Sequence, residues 1–309
     1  MRCDLCKNSA IEPGFRLTEQ SILLECPSCQ SGRVEPMPTE AELKAAYPEN
    51  GYYAYSELSG TSKKALTGRL RDRLREYTYE GQLKTNGSST WTKRLCATLF
   101  KNRFSGFPHY ASGGKLLDVG CGDGYVLSFF QSAGWEVSGI DRSEGAAKHA
   151  RDAGLDVQAG DFLNTKLPEH GFQVVRLWHV LEHLQNPRQA IQRCQQLLAP
   201  HGELIIGIPN PRGLSRFVFG RRWSGWDLPR HLYHFSVKGI TALLTSEGYQ
   251  VREVSHCSVG TGLASMGSAW ASNGVLRMLQ VITDRILDAC RLGDALEIHA
   301  TWQGEGAHA

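Results

Sequence analysis

The chain has 309 residues, room for one large domain with smaller attachments, and its 41% hydrophobic and 21% charged content is that of an ordinary globular protein. A formal net charge of +3 is too small to point to nucleic acid by itself. No apolar run reaches the roughly 18 residues needed to span a bilayer, and Met1-Arg2-Cys3-Asp4 lacks a signal-peptide core, so a cytoplasmic location is expected.

The nine cysteines are an odd number for a disulfide framework, and four of them fall in two close pairs near the start. Cys3-x2-Cys6 and Cys26-x2-Cys29 are two knuckles able to bring four thiolates into a tetrahedron, with a hairpin expected over 11–25. Residues 1–32 are therefore read as a zinc-ribbon module with a closed, structural Zn2+ site. Residues 33–112 follow as a connector and a helical, aromatic cap. Pro36, Pro38 and Pro48 mark the connector, which leads into a short helix. Within residues 61–110 stand eleven Lys/Arg against three acids, with the densest basic stretch at 63–75. That stretch is either a solvated face or a phosphate-contacting surface. Tyr47, Tyr52, Tyr53 and Tyr55 suit an aromatic lid that stacks on an acceptor ring.

From Lys115 the texture changes. Apolar runs at Lys115–Val119, Glu136–Ile140, Asp156–Ala159, Phe172–Leu177 and Glu203–Ile208 alternate with helical patterns, which predicts a parallel sheet covered by helices over 113–309. Gly134, Ser143, Asn186-Pro187 and Ser236 punctuate those helices, with Pro200 and Gly202 just past the end of the fourth. Tyr249–Val254 and Leu296–Ala300 are the remaining strands, with a helical insertion at about 262–292 between them. In that insertion Leu276, Leu279, Ile282, Ile286 and Cys290 share one face, and Arg277, Asp284, Asp288 and Arg291 the other. The first face is expected to pack on the domain; the sharper alternative is peripheral membrane contact through 275–291.

Leu116-Leu117-Asp118-Val119-Gly120-Cys121-Gly122-Asp123-Gly124 carries the most information. A buried strand enters three alternating glycines and then a helix, the arrangement that lets backbone approach a ligand. Asp141 ends the next strand, where nucleotide folds place a ribose-binding carboxylate, and Asp161-Phe162 ends the third. A nicotinamide fingerprint would need glycine at position 125, where Tyr125 stands.

From Lys115 to Val254, with Leu296–Ala300 as last strand, the chain resembles the class I S-adenosylmethionine-dependent methyltransferases. Trp178-His179-Val180-Leu181-Glu182-His183 and Ile208-Pro209-Asn210 strengthen the likeness; Gln173 and Arg176 depart from it. The resemblance implies an α/β fold with a doubly wound, mostly parallel, seven-stranded Rossmann-like sheet. It also implies S-adenosylmethionine as cofactor, with the Gly120–Gly124 loop around its methionine part, Asp141 on the ribose and Asp161-Phe162 on the adenine. Asp118, Gly120, Cys121, Gly122, Gly124, Asp141, Arg142, Asp161, Phe162 and Trp178 are its cofactor set.

His179, Glu182 and His183 lie at i, i+3 and i+4, so a helix beginning here would put them on one face. The same letters spell a zinc-hydrolase pattern, which needs a long helix. Either His179 or His231 is expected to take a proton from the acceptor, with Glu182 and His183 completing the catalytic set and a divalent cation there as a further option. The segment Trp223 to Phe235, with two tryptophans, two histidines and Tyr233, is read as an acceptor pocket, or else as a packed aromatic loop whose His234 caps the next helix. The expected reaction is O- or C-methylation of a small-molecule or lipid-linked acceptor of sugar, quinone or natural-product type. An RNA methyltransferase using the zinc ribbon and residues 63–75 is the alternative, with nucleic acid the weaker partner. A degenerate, zinc-anchored interaction module is the non-enzymatic one.

Overall fold

A computed structural model describes residues 2–47, 74–80, 91–93, 106–109, 113–258 and 274–304. Strands β1 (Glu12–Arg16), β2 (Ile22–Glu25), β3 (Gly32–Glu35) and helix α1 (Glu40–Ala45) come first. They are followed by β4 (Lys115–Val119), α2 (Tyr125–Ser132), β5 (Glu136–Asp141), α3 (Glu144–Asp152), β6 (Asp156–Ala159) and β7 (Phe172–Trp178). Next are α4 (Pro187–Leu197), β8 (Leu198–Pro209), α5 (Leu214–Phe219), β9 (Tyr233–His234) and α6 (Val237–Ser246). β10 (Tyr249–Cys257), α7 (Gly274–Ala289) and β11 (Ala295–Trp302) close the chain. The sheet order β10-β11-β8-β7-β4-β5-β6 is the seven-stranded arrangement expected, parallel from β7 to β6 and antiparallel at β10–β11. The chain divides into two compact units, Tyr47–Trp178 with Arg193–Ile205, and Met1–Ala46 with His179–Gln192 and Ile206–Ala309.

In the first unit β4 is buried on both faces, which is why Leu116, Leu117 and Val119 are apolar and why Asp118 between them needs a buried partner. Helix α2 buries Leu127, Phe129 and Phe130, and α3 presents the small residues Ala146, Ala147 and Ala150. Tyr79 and Phe107 join that core, where Trp135 donates its indole N–H to the Tyr79 hydroxyl at 2.8 Å. Of the basic stretch only Arg75 is among the described residues; its guanidinium lies 4.8 Å over the Tyr125 ring and 5.5 Å over Phe129. Lys63, Lys64, Arg69, Arg71 and Arg73, like Tyr52, Tyr53 and Tyr55, lie outside the described residues.

Arg176, the unexpected charge inside β7, stands in register with Asp118 of β4 and donates to its carboxylate at 2.8 Å. Both are buried, and the guanidinium also stacks 4.8 Å from Trp178. Burial pushes the Asp118 carboxyl above its ordinary value, and Arg176 opposes that shift. Gln173, the other departure, accepts the N–H of Lys115 through its side chain at 2.6 Å and so pins the start of β4.

In the second unit β1, β2 and β3 form an antiparallel sheet completed by β9, through Gly32↔His234 and Arg33↔Tyr233. The cysteine module therefore extends past residue 32 to Glu35 and recruits a strand two hundred residues away in sequence. Trp223 and Trp226 are buried with Leu17, Leu23 and Val34, and Trp226 stacks on Phe15 at 5.6 Å. This overturns the acceptor-pocket reading of the tryptophans: they are ribbon core. His234 is also buried there, 4.8 Å from the Trp226 ring, and it does not cap α6; Ser236 does, accepting the N–H of Gly239.

Helix α4 ends at Leu197, so Pro200 and Gly202 lie just past it as expected, in the opening residues of β8. One further expectation is corrected. On α7 the described part of the apolar stripe does not pack inward: Ile282 is 48% and Ile286 58% exposed, Cys290 is exposed, and Asp288 is the buried residue. No helix among the described residues is long and apolar enough to cross a membrane.

Arg176→Leu strands the Asp118 carboxylate in the sheet. It is expected to lower stability by about 3 kcal/mol or more, read as a fall in the urea midpoint, and adding Asp118→Asn should restore much of the loss. His234 makes a second prediction. Burial, then the neighbouring His231, lowers its pKa from 6.5 to about 3. The unfolded chain thus binds a proton that the folded chain refuses. The contribution is fully present above pH 6.5 and is lost as pH falls towards 3, by about 1.4 kcal/mol per pH unit. Chemical denaturation across that window should show a shallower slope in His234→Gln; an identical slope would contradict the assignment.

Candidate active site

The candidate cofactor cradle lies in the first unit. Gly120, Gly122 and Gly124 take φ of 70°, 57° and 79°, the left-handed region open to glycine. A Cβ on Gly124 would stand 2.4 Å from Leu155 Cδ1, so the loop's end is pressed against the domain, whereas a Cβ on Gly122 would meet nothing within 4 Å. Asp141, at the end of β5, accepts the N–H groups of Gly122 at 2.8 Å and Ser143 at 2.9 Å. Burial raises its pKa while those two donors work against the shift. Asp161 follows β6, the parallel neighbour of β5, and its carboxylate lies 3.9 Å from Arg142. Open space at a positive-φ glycine, with carboxylates at adjacent strand ends, fits a ligand carrying an amino acid and a nucleoside. Gly120, Gly122, Asp141, Arg142 and Asp161 are thus brought together.

Other members of the expected set are placed differently. Asp118 is held in its ion pair with Arg176, beneath the loop rather than at its surface. Cys121 is buried, with its thiol pKa pushed up by burial and the nearby carboxylates. The Phe162 ring is buried beside Asp161. Sequence reading missed Asp123, which is buried and accepts the N–H of Tyr125 at 3.1 Å where α2 begins.

The histidines lie in the second unit. His179 has φ of 56°, strained for a residue with a Cβ. Its Nδ1 lies 3.1 Å from Glu182 Oε1, and its side chain is one-third exposed while Glu182 is fully buried. Burial alone would raise the Glu182 pKa; the His179 hydrogen bond and the surrounding imidazoles outweigh it and bring the carboxyl to about 2. The carboxylate is thus ionised and orients the imidazole through Nδ1–H, leaving Nε2 as the basic atom of the ring. Leu181–His183 is a single 3-10 turn that excludes His179, so the expected shared helical face does not form, and neither does the long helix of a zinc hydrolase.

His183 Nδ1 lies 3.1 Å from the Arg230 carbonyl, and burial then His231 lower its pKa to about 4. His231 Nδ1 lies 2.8 Å from the Gly225 carbonyl, with Nε2 3.5 Å from Asp227. Glu182, His183 and His231 offer one ligand atom each, all within 4.8 Å of one another, and Glu182 Oε2 has no hydrogen-bond partner among the described residues. That set could hold a divalent cation.

The four cysteines of the second unit also converge, with sulfurs within 4.8 Å of one another; Cys3–Cys29 is 3.7 Å and Cys6–Cys26 is 3.6 Å. A Zn–S bond of about 2.3 Å sets tetrahedral sulfurs roughly 3.8 Å apart. The two knuckles repeat one turn: Lys7 donates to the Cys3 carbonyl with φ of 57°, and Gln30 to the Cys26 carbonyl with φ of 62°. The close thiols share protons, so Cys3, hydrogen-bonded by Cys29, drops to about 5 while Cys29 is pushed up.

A methyltransferase-domain family model matches residues 90–254, more than half of the chain. A Mycolicibacterium smegmatis protein described as "Probable S-adenosylmethionine-dependent methyltransferase" is 26% identical over 196 residues, 62% of this chain and 73% of its own. A ubiquinone biosynthesis O-methyltransferase of Actinobacillus pleuropneumoniae is 37% identical over 137 residues, 40% of this chain and 58% of its own, so the chain spans little more than half of that relative. Among solved structures, a chain from the complex between the Haloferax volcanii Trm112 methyltransferase activator and a methyltransferase shares the fold. It is 15% identical with a TM-score of 0.50, covering 81% of this chain and 100% of that one. The family match falls on the strands and loop that build the glycine and carboxylate cradle, and the chain belongs to the methyltransferase-domain family as a class I S-adenosylmethionine-dependent methyltransferase.

Proposed function

We propose that this enzyme methylates an oxygen of a small-molecule or lipid-linked acceptor, with His179 as the proton acceptor. The observation that carries the reading is the His179–Glu182 pair: a strained, partly exposed imidazole held at Nδ1 by a fully buried carboxylate. The ubiquinone biosynthesis O-methyltransferases among the relatives support oxygen as the atom and a small-molecule acceptor. S-adenosylmethionine, when bound in the Gly120–Asp161 cradle, supplies an electrophilic methyl group. His179 Nε2 removes the acceptor hydroxyl proton as the oxygen forms its new bond, and Glu182 stabilises the imidazolium and fixes the ring. Asp141 orders the loop through Gly122, and Asp161 offers a carboxylate to the adenine end. His231, buried with Nδ1 against the Gly225 carbonyl, is less open to an acceptor than the partly exposed His179 and serves to position the cluster.

The cysteine cluster is proposed to hold one structural zinc ion, four protein ligands leaving no open position for chemistry. Arg75 is stacked on Tyr125 and Phe129, which removes it from a phosphate-binding surface and favours the small acceptor over RNA.

His179→Ala should slow S-adenosylhomocysteine release with phenol and quinol acceptors by about a hundred-fold or more, while calorimetry shows unchanged S-adenosylmethionine affinity; undiminished turnover would sink the assignment. Elemental analysis of freshly purified protein should find about one zinc per chain, and its absence would refute the metal reading.

A further inference from the structure

Two helices of the second unit expose apolar side chains to an extent the fold does not explain. Phe217 and Val218 on α5 are 57% and 55% exposed, and Ile282 and Ile286 on α7 are 48% and 58% exposed. The described end of the α7 stripe is inverted: Asp288, which accepts from Ser258 at 2.8 Å, is the side chain turned inward. The helices adjoin at their ends: the Leu214 N–H donates to the Leu292 carbonyl at 2.9 Å, and a Cβ on Gly213 would stand 2.8 Å from the Gly293 oxygen. The segment 211–226 carries Arg212, Arg216, Arg221 and Arg222 and no acid. Arg212, Arg221 and Arg222 are exposed, as is Arg291 just beyond α7. Arg216 is more buried, its guanidinium 5.4 Å over Phe15, 5.2 Å over Phe217 and 5.7 Å over Trp226, which braces α5 on the ribbon, and the exposed Arg221 also lies 5.8 Å over Phe15.

We propose that α5 and α7 form a docking surface for an anionic lipid bilayer. Phe217, Val218, Ile282 and Ile286 enter the headgroup boundary, and the exposed arginines pair with lipid phosphates. Single exposed apolar residues are ordinary, but bulky ones on two adjoining helices, with four exposed arginines beside them against the partly buried Asp284 of α7, combine the two attractions that hold proteins on membrane surfaces. A second copy of the chain fits less well, since a symmetric contact would bring the arginine rims together. Nucleic acid would use the arginines and leave four aliphatic or aromatic side chains without a role. The surface is independent of the methyl-transfer reading, although it suits a lipid-linked acceptor.

Cosedimentation of the full chain with phosphatidylcholine vesicles, with and without phosphatidylglycerol, tests it. Binding is expected only to the phosphatidylglycerol vesicles and should weaken as salt rises. Arg221→Gln with Arg222→Gln should reduce partitioning roughly thirty-fold, and Phe217→Ser with Ile286→Ser roughly ten-fold or more, each with unchanged S-adenosylmethionine affinity as the control for folding. No binding to phosphatidylglycerol vesicles, equal binding to both vesicle types, or binding unaffected by either pair of changes would overturn the proposal. So would sedimentation showing a dimer that both pairs of changes dissolve.

Discussion

The histidine segment proposed to carry the chemistry depends on one buried charge. Glu182 has no exposed surface, and a carboxylate in such a place would ordinarily take up a proton. It remains ionised because His179 bonds it and imidazoles surround it. The cost of that burial is offset by fixing the ring of His179 and by supporting a backbone conformation that a side chain rarely adopts. The backbone of the same residue accepts the Leu232 N–H at 2.8 Å, so the segment carrying His231 and His234 is tied to it as well.

The cysteine module is built into that arrangement rather than appended to the end of the chain. Its sheet is finished by β9, one residue after Leu232. Asp4, between the first two cysteines, accepts from Arg33 at 2.8 Å and from the Tyr233 hydroxyl at 3.1 Å. Ser236 bonds the Cys29 carbonyl and Ser31 while capping α6. Ordering of residues 223–236 is therefore linked to ordering of residues 2–35, and a structural metal there would act on the histidine segment through its position.

Much of this was legible in the sequence because it rests on local chemistry. Apolar runs ending in Asp141 and before Asp161, the three loop glycines, the Ser143 and Ser236 caps and the two cysteine knuckles each obey rules spanning a few residues. What escaped depends on register or on long-range packing. Arg176 looked out of place until β7 was set beside β4, where it stands opposite Asp118. Trp223 and Trp226 carry the composition of a ligand pocket, yet a distant hairpin covers them. The α7 stripe was expected inside by periodicity, and Asp288 reversed it by finding a partner in Ser258. His179, Glu182 and His183 were expected on one helical face, whereas His179 meets Glu182 from outside the short turn that holds the other two.

The account turns on whether the imidazole at position 179 performs the proton transfer. Chemical rescue addresses this directly: turnover of His179→Gly is measured at saturating S-adenosylmethionine with and without added imidazole. Restoration of activity in proportion to the concentration of the free base is the predicted result. A variant that is as active as the parent without imidazole, or that binds S-adenosylmethionine normally and gains nothing from any imidazole concentration, would contradict it.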